Sequence, residues 1–429
     1  MTLARRLTAA TGAAVGAAVL ATAAGSTGQT VDVQHPLTIV SGTPAGGART
    51  DRIDSFRSGC SRDPLPAGGL ASTWHIGVGA FLEHAPVVDA QGTAYVVGSR
   101  GEVVAVGRDG SERWRAATGA AQAGAPVLAS DETLAFVDAA GIAVGVREGV
   151  VRWRTRFGRS DTSRPAPLAL DDGGVVVATA HDLATLDAEG HVRSRTALPE
   201  AASAPLVAAL GKVIAVTVSG AVWSWCGATT GCAVEPTRLG SFGAPVEGGA
   251  VLGDDHTLLA ITAGGAHLAA MDLARGTVAT RAVAPAGVWL GPPSVHAGAA
   301  TLQLLAPAAD VAVVLDASGA ETARIVLGMH PPPAITDGGP VVIAPVPHTA
   351  PLVDASGTLV FATTDGSVGA ARTSGASRVD LVAGICPPND HAEPAVAGIA
   401  PIGPSAIVVA CRAGALVALQ GGEGPSPHL

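Results

Sequence analysis

Five cysteines, twelve histidines and two pairs of adjacent aspartates are the residues of this 429-residue chain whose types could do chemistry. Cys226 and Cys232 flank a Gly-Ala-Thr-Thr-Gly turn between two strand-like runs. That spacing can set them opposite one another across a hairpin, within disulfide reach. Cys386 and Cys411 are the next candidate pair, which leaves Cys60 over. Metal binding is a poorer reading, because there is no C-x-x-C and no His at ligand spacing to these cysteines. His75, His84, His181, His191 and His267 fall at strand or turn positions, with no H-E-x-x-H and no close pair, so hydrogen-bonded or exposed imidazoles are expected. Asp171/Asp172 and Asp254/Asp255 could bind calcium or act as acid and base. Each pair, however, sits in a turn, where Asp favours local geometry and solvent. Arg152, Arg154 and Arg156 would share one face of a strand, with Arg159 nearby; a solvated outer strand explains them better than a patch for an acidic partner. No G-x-S-x-G, Walker loop or G-x-G-x-x-G after a strand is present. The expectation is therefore no catalytic residue, no metal and no cofactor.

The elements that hold these residues follow from composition and punctuation. Hydrophobic residues make up 48% and charged residues 14%, so apolar material for a core is ample. Gly (56) and Pro (30) are abundant, which suits many short strands joined by tight turns. The net charge is −9 and no Lys/Arg run appears beyond the N-terminus, so the footprint of a nucleic-acid binder is absent. Ala-rich sequence invites a helical reading, but the apolar runs are short and bounded by Gly, Asp and Pro, which favours strands.

The first residues read as an export signal over 1–23: Arg5 and Arg6, then a weakly apolar Ala-rich stretch, then Ala21-Thr22-Ala23 as a small-x-small cleavage site. No later apolar stretch is long enough to span a membrane. No Cys follows the cleavage site, so the usual lipid-anchor signal is missing. The reading is an exported, periplasmic or extracellular monomer. Residues 24–69 are expected to be an irregular, partly disordered segment, and 421–429 a disordered tail.

Self-comparison reveals a repeat. Ser72-Thr73-Trp74-His75 ends at Gly79, Glu112-Arg113-Trp114-Arg115 at Gly119, and Val151-Arg152-Trp153-Arg154 at Gly158. Successive tryptophans are 40 and 39 residues apart, each followed by Gly five positions later. Ahead of each such segment lies the rest of a unit: an Ala-Pro step opening a strand, an Asp-bearing turn, a β-branched strand, a third strand and a Gly-bearing turn. Four strands and three tight turns in ~40 residues are the content of one propeller blade. Units start near residues 85, 125, 166, 204, 244, 291, 350 and 394, with an inserted Pro-rich loop over 331–349. The last unit runs out after Leu419 without a fourth strand, while Trp74 sits in an orphan fourth strand. These deficits match, so residues 70–79 are predicted to complete the final blade against 415–419, closing an all-β, eight-bladed β-propeller over 70–420. Closure removes a sheet edge that would otherwise stand open.

The unit resembles the pyrroloquinoline-quinone-like, or quinoprotein-type, propeller repeat: Asp109-Gly110 with Trp114 and Gly119, and Gly149 with Trp153 and Gly158. The resemblance implies that Trp74, Trp114 and Trp153, with Gly79, Gly119 and Gly158, are structural docking residues. Ser194 and Ala323 stand where Trp would fall in the third and sixth units. Enzymes of this type hold the quinone beside an adjacent Cys-Cys disulfide, with calcium, an Asp base and stacked Trp; this chain has no adjacent cysteines. Blade count and export also make it similar to the propeller scaffold lipoprotein of outer-membrane β-barrel assembly. The reading is thus a non-enzymatic interaction scaffold of the bacterial envelope with unidentified protein partners. The alternatives are a quinone-dependent dehydrogenase, and a glycan or small-ligand binder using the 331–349 loop.

Overall fold

The computed structural model describes residues 48–50, 52–120, 124–158, 165–227, 235–253, 257–262, 264–285, 287–306, 309–329, 350–363, 365–373, 379–386 and 396–421. The expected signal over 1–23, the 331–349 loop, Asp254/Asp255, Arg159, Cys232 and the tail beyond Gly421 lie outside these residues.

Eight four-stranded antiparallel sheets follow one another as blades, in an all-β architecture. Blade 1 is Val87–Val88, Ala94–Val97, Glu102–Val106 and Glu112–Ala117, running from the innermost strand outwards. Blades 2 to 7 repeat this order from inner strands Val127–Leu128, Leu168–Ala169, Val207–Ala209, Val246–Leu252, Val288–His296 and Leu352–Asp354. The turns explain the regularity. Asp89 Oδ1 accepts from the amides of Gln91 and Thr93, and Asp138 Oδ1 from Ala140 and Ile142. Asp316 and Asp354 do the same with residues two and four positions on. An Asp carboxylate thus reverses the chain by capping its own backbone. The strands between these turns are buried on both faces, and each interblade core joins residues of two neighbouring blades.

Blade 8 is built from both ends of the described chain. Val396–Gly403, Ala406–Cys411 and Ala415–Gln420 supply three strands, and Ala71–Gly77 is the fourth. The register runs from Ala71 opposite Gln420 to Gly77 opposite Ala415, with Trp74 opposite Ala418. The ladder shifts between Ser72 and Trp74, and likewise between Val151 and Trp153. Each of these tryptophans therefore follows a β-bulge, which re-aims the side chain towards the next blade.

Candidate functional site: a channel filled by the chain itself

A ring of blades leaves the innermost strands with one unpaired edge facing the axis. Residues 48–65 supply the partners. The stretch read from sequence as irregular and partly disordered over 24–69 is, from residue 48, a buried segment that visits all eight blades. In blade 1 the Val88 amide donates to Ala48 O (2.7 Å), and in blade 2 the Leu128 amide donates to Arg49 O (2.9 Å). Arg57 Nη2 donates to Pro167 O in blade 3 (2.8 Å). The amides of Ala208, Leu252, Val295 and Val353, in blades 4 to 7, donate to Ser55, Phe56, Ser58 and Gly59 in turn. Cys60–Ser61 then runs parallel to Leu352–Asp354, and the Ser405 amide of blade 8 closes the circuit on Pro64 O (2.8 Å). The segment has little regular structure because each step meets a different blade.

Two arginines anchor this plug. Arg57 is 1% exposed; its Nε donates to Leu206 O (3.1 Å), and Nη2 reaches Ala166 O (3.3 Å) besides Pro167 O. Arg52 is also buried, with Nη2 on Pro293 O (2.6 Å) and Ser294 Oγ (3.3 Å). The planar fork of guanidinium lets one side chain satisfy carbonyls of two blades at once. Between them Asp54 accepts from Ser58 Oγ (2.6 Å) and the Ser58 amide (2.9 Å). Burial pushes the Asp54 carboxyl above its ordinary range, against the opposing pull of Ser58 and Arg57.

The cavity left at the channel mouth measures about 40 Å³ and is lined by Arg52, Arg57, His84, Pro205, Gly249 and Pro292 among others. That is room for a few waters; an apolar cavity that binds one benzene ring measures about 150 Å³. Among the described residues, Arg52, Asp54 and Arg57 of the plug occupy the axis, and the cavity beside them is too small for a quinone.

Cys60, on the plug, places Sγ 3.3 Å from His296 Nδ1. Burial first, then the charges of Asp54 and Asp354, push its thiol up to about 11. Such a thiol is a poor nucleophile at neutral pH.

The other candidate residues are dispersed. Cys386 and Cys411 form a disulfide that ties blade 7 to blade 8, with both side chains fully buried. Cys226 is disulfide-bonded. His75, His181 and His191 are exposed, while His84 lies at the channel mouth and His267 opens a strand of blade 5. Asp187, Glu189 and His191 approach one another in the outer turn of blade 3. Asp187 is occupied there in capping the His191 amide (2.7 Å). Asp172 accepts from the Gly174 amide and from Arg193, as a turn residue does. Arg152 pairs with Glu148 (3.1 Å), and Arg156 donates to Ala140 O (2.8 Å).

The tryptophans dock between blades. Trp74 of blade 8 lies against Gly110 of blade 1, Trp114 against Gly149 of blade 2, and Trp153 against Gly190 of blade 3. A Cβ on Gly110 would stand 2.6 Å from Trp74 Cγ, and one on Gly190 2.5 Å from Trp153 Cγ. Each seat is completed by one cross-strand row of the receiving blade. The row is Val88, Ala94 and Val106 under Trp74, Leu128, Leu134 and Val146 under Trp114, and Ala169, Val175 and Leu186 under Trp153. The seat glycines come from the turn before the outer strand. The glycines five residues after each Trp act otherwise. Gly79 and Gly119 hold left-handed backbone (φ +85° and +64°), while a Cβ on Gly158 would lie 2.4 Å from Thr179. Where Ser194 replaces Trp, the junction is filled from the opposite side by Trp225 of blade 4, in the row position of Val106.

Comparison with known proteins follows the architecture. The family described as outer membrane protein assembly factor BamB matches residues 63–282. The crystal structure of BamB from Moraxella catarrhalis is 16% identical, with a TM-score of 0.56 over 83% of this chain and 99% of that one. Quinohemoprotein alcohol dehydrogenase from Comamonas testosteroni is 13% identical, with a TM-score of 0.59 over 90% of this chain and 82% of that one. The computationally designed Ika8 protein is 12% identical, with a TM-score of 0.60 over 84% of this chain and all of that one. At such identities the likeness is one of fold. No curated protein sequence matches the chain.

Proposed function

From a chain that belongs to the family of outer membrane protein assembly factor BamB, we propose an exported, non-enzymatic propeller that serves as a protein-interaction scaffold of the cell envelope. The observation that carries this reading is the filled channel. Residues 48–65 use the inner edges of all eight blades, and about 40 Å³ remains at the mouth. What is left for a partner is the outside: the two faces of turns and the rim of outer strands. The buried Cys386–Cys411 disulfide supports an oxidising compartment.

The test is crosslinking in intact envelopes followed by affinity capture of the tagged chain. A specific protein partner is the expected result. Recovery of no partner, together with turnover of a substrate, would sink the proposal. The quinone-dependent alternative is checked in parallel by adding quinone and calcium. The expected outcome is no thermal shift and no dye reduction, because the plug occupies the axis.

A further inference from the structure

Blades 5 and 6 repeat the geometry of an indole seat without an indole. The receiving row of blade 6 is Val295, Ala300 and Leu315, in the same register as Leu128, Leu134 and Val146 under Trp114. The receiving glycine is Gly319, whose added Cβ would meet the backbone of Arg281 on the outer strand of blade 5. Arg281 takes over the polar half of the contact. Its Nη1 donates to Ala317 O (2.5 Å), two residues before Gly319. Trp74 Nε1 likewise donates to Arg108 O (2.9 Å), two residues before Gly110. The apolar half of the contact has no such replacement. A crevice of about 110 Å³ remains, floored by the buried side chains of Leu259, Leu268, Val295, Ala300 and Leu315. Asp316 and Ala317 on its rim are exposed.

We propose that this crevice is a docking site for a tryptophan side chain of a partner protein. The occupant is read from the molecule itself: three seats of the same construction hold an indole. The crevice is open at its exposed rim, so an indole rests there partly covered, as the half-buried Trp74 and Trp114 do in their own seats. Ala300, where the Trp114 seat has Leu134, widens the floor. Arg281 lies at the edge of the space, where its guanidinium can stack on an incoming ring as a cation–π lid. The proposal rests on the scaffold reading above and names one chemical feature of the partner.

The test titrates the full chain by calorimetry with Gly-Gly-Trp-Gly-Gly, with the same peptide carrying Leu in place of Trp, and with free indole. The Trp peptide is expected to bind at about millimolar concentration or tighter, and the Leu peptide about tenfold more weakly. Arg281→Trp fills the seat from within. It should abolish peptide binding and raise the melting temperature by about 2 °C or more. Should that variant fail to fold, Ala300→Phe fills the crevice from its floor and should weaken binding about tenfold. Equal binding of both peptides, or undiminished binding by either variant, overturns the proposal. Indole binding without peptide binding overturns it too, by making the occupant a free ring. A partner captured by crosslinking despite a failed peptide titration removes the seat and leaves the scaffold standing. Peptide binding with no partner captured does the reverse.

Discussion

Trp74 and Arg108 are joined across the seam of the ring, the indole Nε1–H donating to the Arg108 carbonyl at 2.9 Å. Trp74 belongs to the strand that completes blade 8, and Arg108 to the outer turn of blade 1. The contact therefore links the last blade to the first through a side chain that is itself part of the closing strand. Trp74→Ala is predicted to cost about 3 kcal/mol, from lost burial and an empty seat. Trp74→Phe keeps the ring and loses only the hydrogen bond, at about 1 kcal/mol. Denaturant unfolding of the three proteins checks the order.

Gly110 and Gly119 predict different penalties for the same substitution. A methyl at Gly110 meets Trp74 Cγ at 2.6 Å and also sits on left-handed backbone, so Gly110→Ala should cost about 2–4 kcal/mol. At Gly119 nothing lies within 4 Å, so Gly119→Ala should cost only the backbone strain, about 1 kcal/mol. Equal losses would contradict the assignment of Gly110 as the seat.

The Cys386–Cys411 bridge closes a loop with a sequence separation of 25 between blades 7 and 8. The double substitution Cys386→Ala with Cys411→Ala is predicted to lower stability by about 3.5 kcal/mol by the loop-entropy argument. The measurement is the urea midpoint of the double variant against the parent under oxidising conditions. Under a reductant that opens the bridge, the difference should shrink.

Arg57→Met removes the fork that spans blades 3 and 4 and leaves Leu206 O and Pro167 O without it. A loss of about 3 kcal/mol is expected. Arg57→Lys should rescue little of it, because an ammonium cannot reproduce the planar fork. Hydrogen–deuterium exchange should quicken at Ala208, Leu252 and Val353, whose amides depend on the plug staying in place.

Cys60 sets a pH window. Below about pH 9, the ordinary value for the thiol, it is protonated whether the chain is folded or not, and its shift contributes nothing to stability. As pH rises from about 9 towards 11 the unfolded thiol ionises first, so the folded state loses stability across that interval. Alkylation by iodoacetamide should be slow at pH 8 in the folded chain and should accelerate with a midpoint near 11; in urea the midpoint should fall to about 9. A folded-state midpoint near 9 would show that the thiol is not held as described.

The blades were legible because each is specified locally. Asp89, Asp138, Asp316 and Asp354 write their turns within five residues, and the runs between them are apolar and short. Closure was legible as well, since an orphan fourth strand at Trp74 and a missing one after Leu419 imply each other. The seats were only half legible. The period of the tryptophans and the Gly five residues after each are visible, but which glycine receives each indole is decided by the turn of the next blade.

The sequence alone therefore determined the repeat, the number of blades and the strand that closes them, because those features follow from hydrogen bonds and burial over a few residues and from a period that recurs. Tertiary structure alone decided that residues 48–65 fill the axis and that the blade 5–6 seat stands open. Arg57 meets Leu206 and Pro167, the Ser405 amide meets Pro64, and Ala300 matters only through Arg281 facing it across a junction. Nothing periodic marks those pairs, since each exists once and its members are far apart in the chain. Closing the ring brings them together and excludes the water that would otherwise satisfy them.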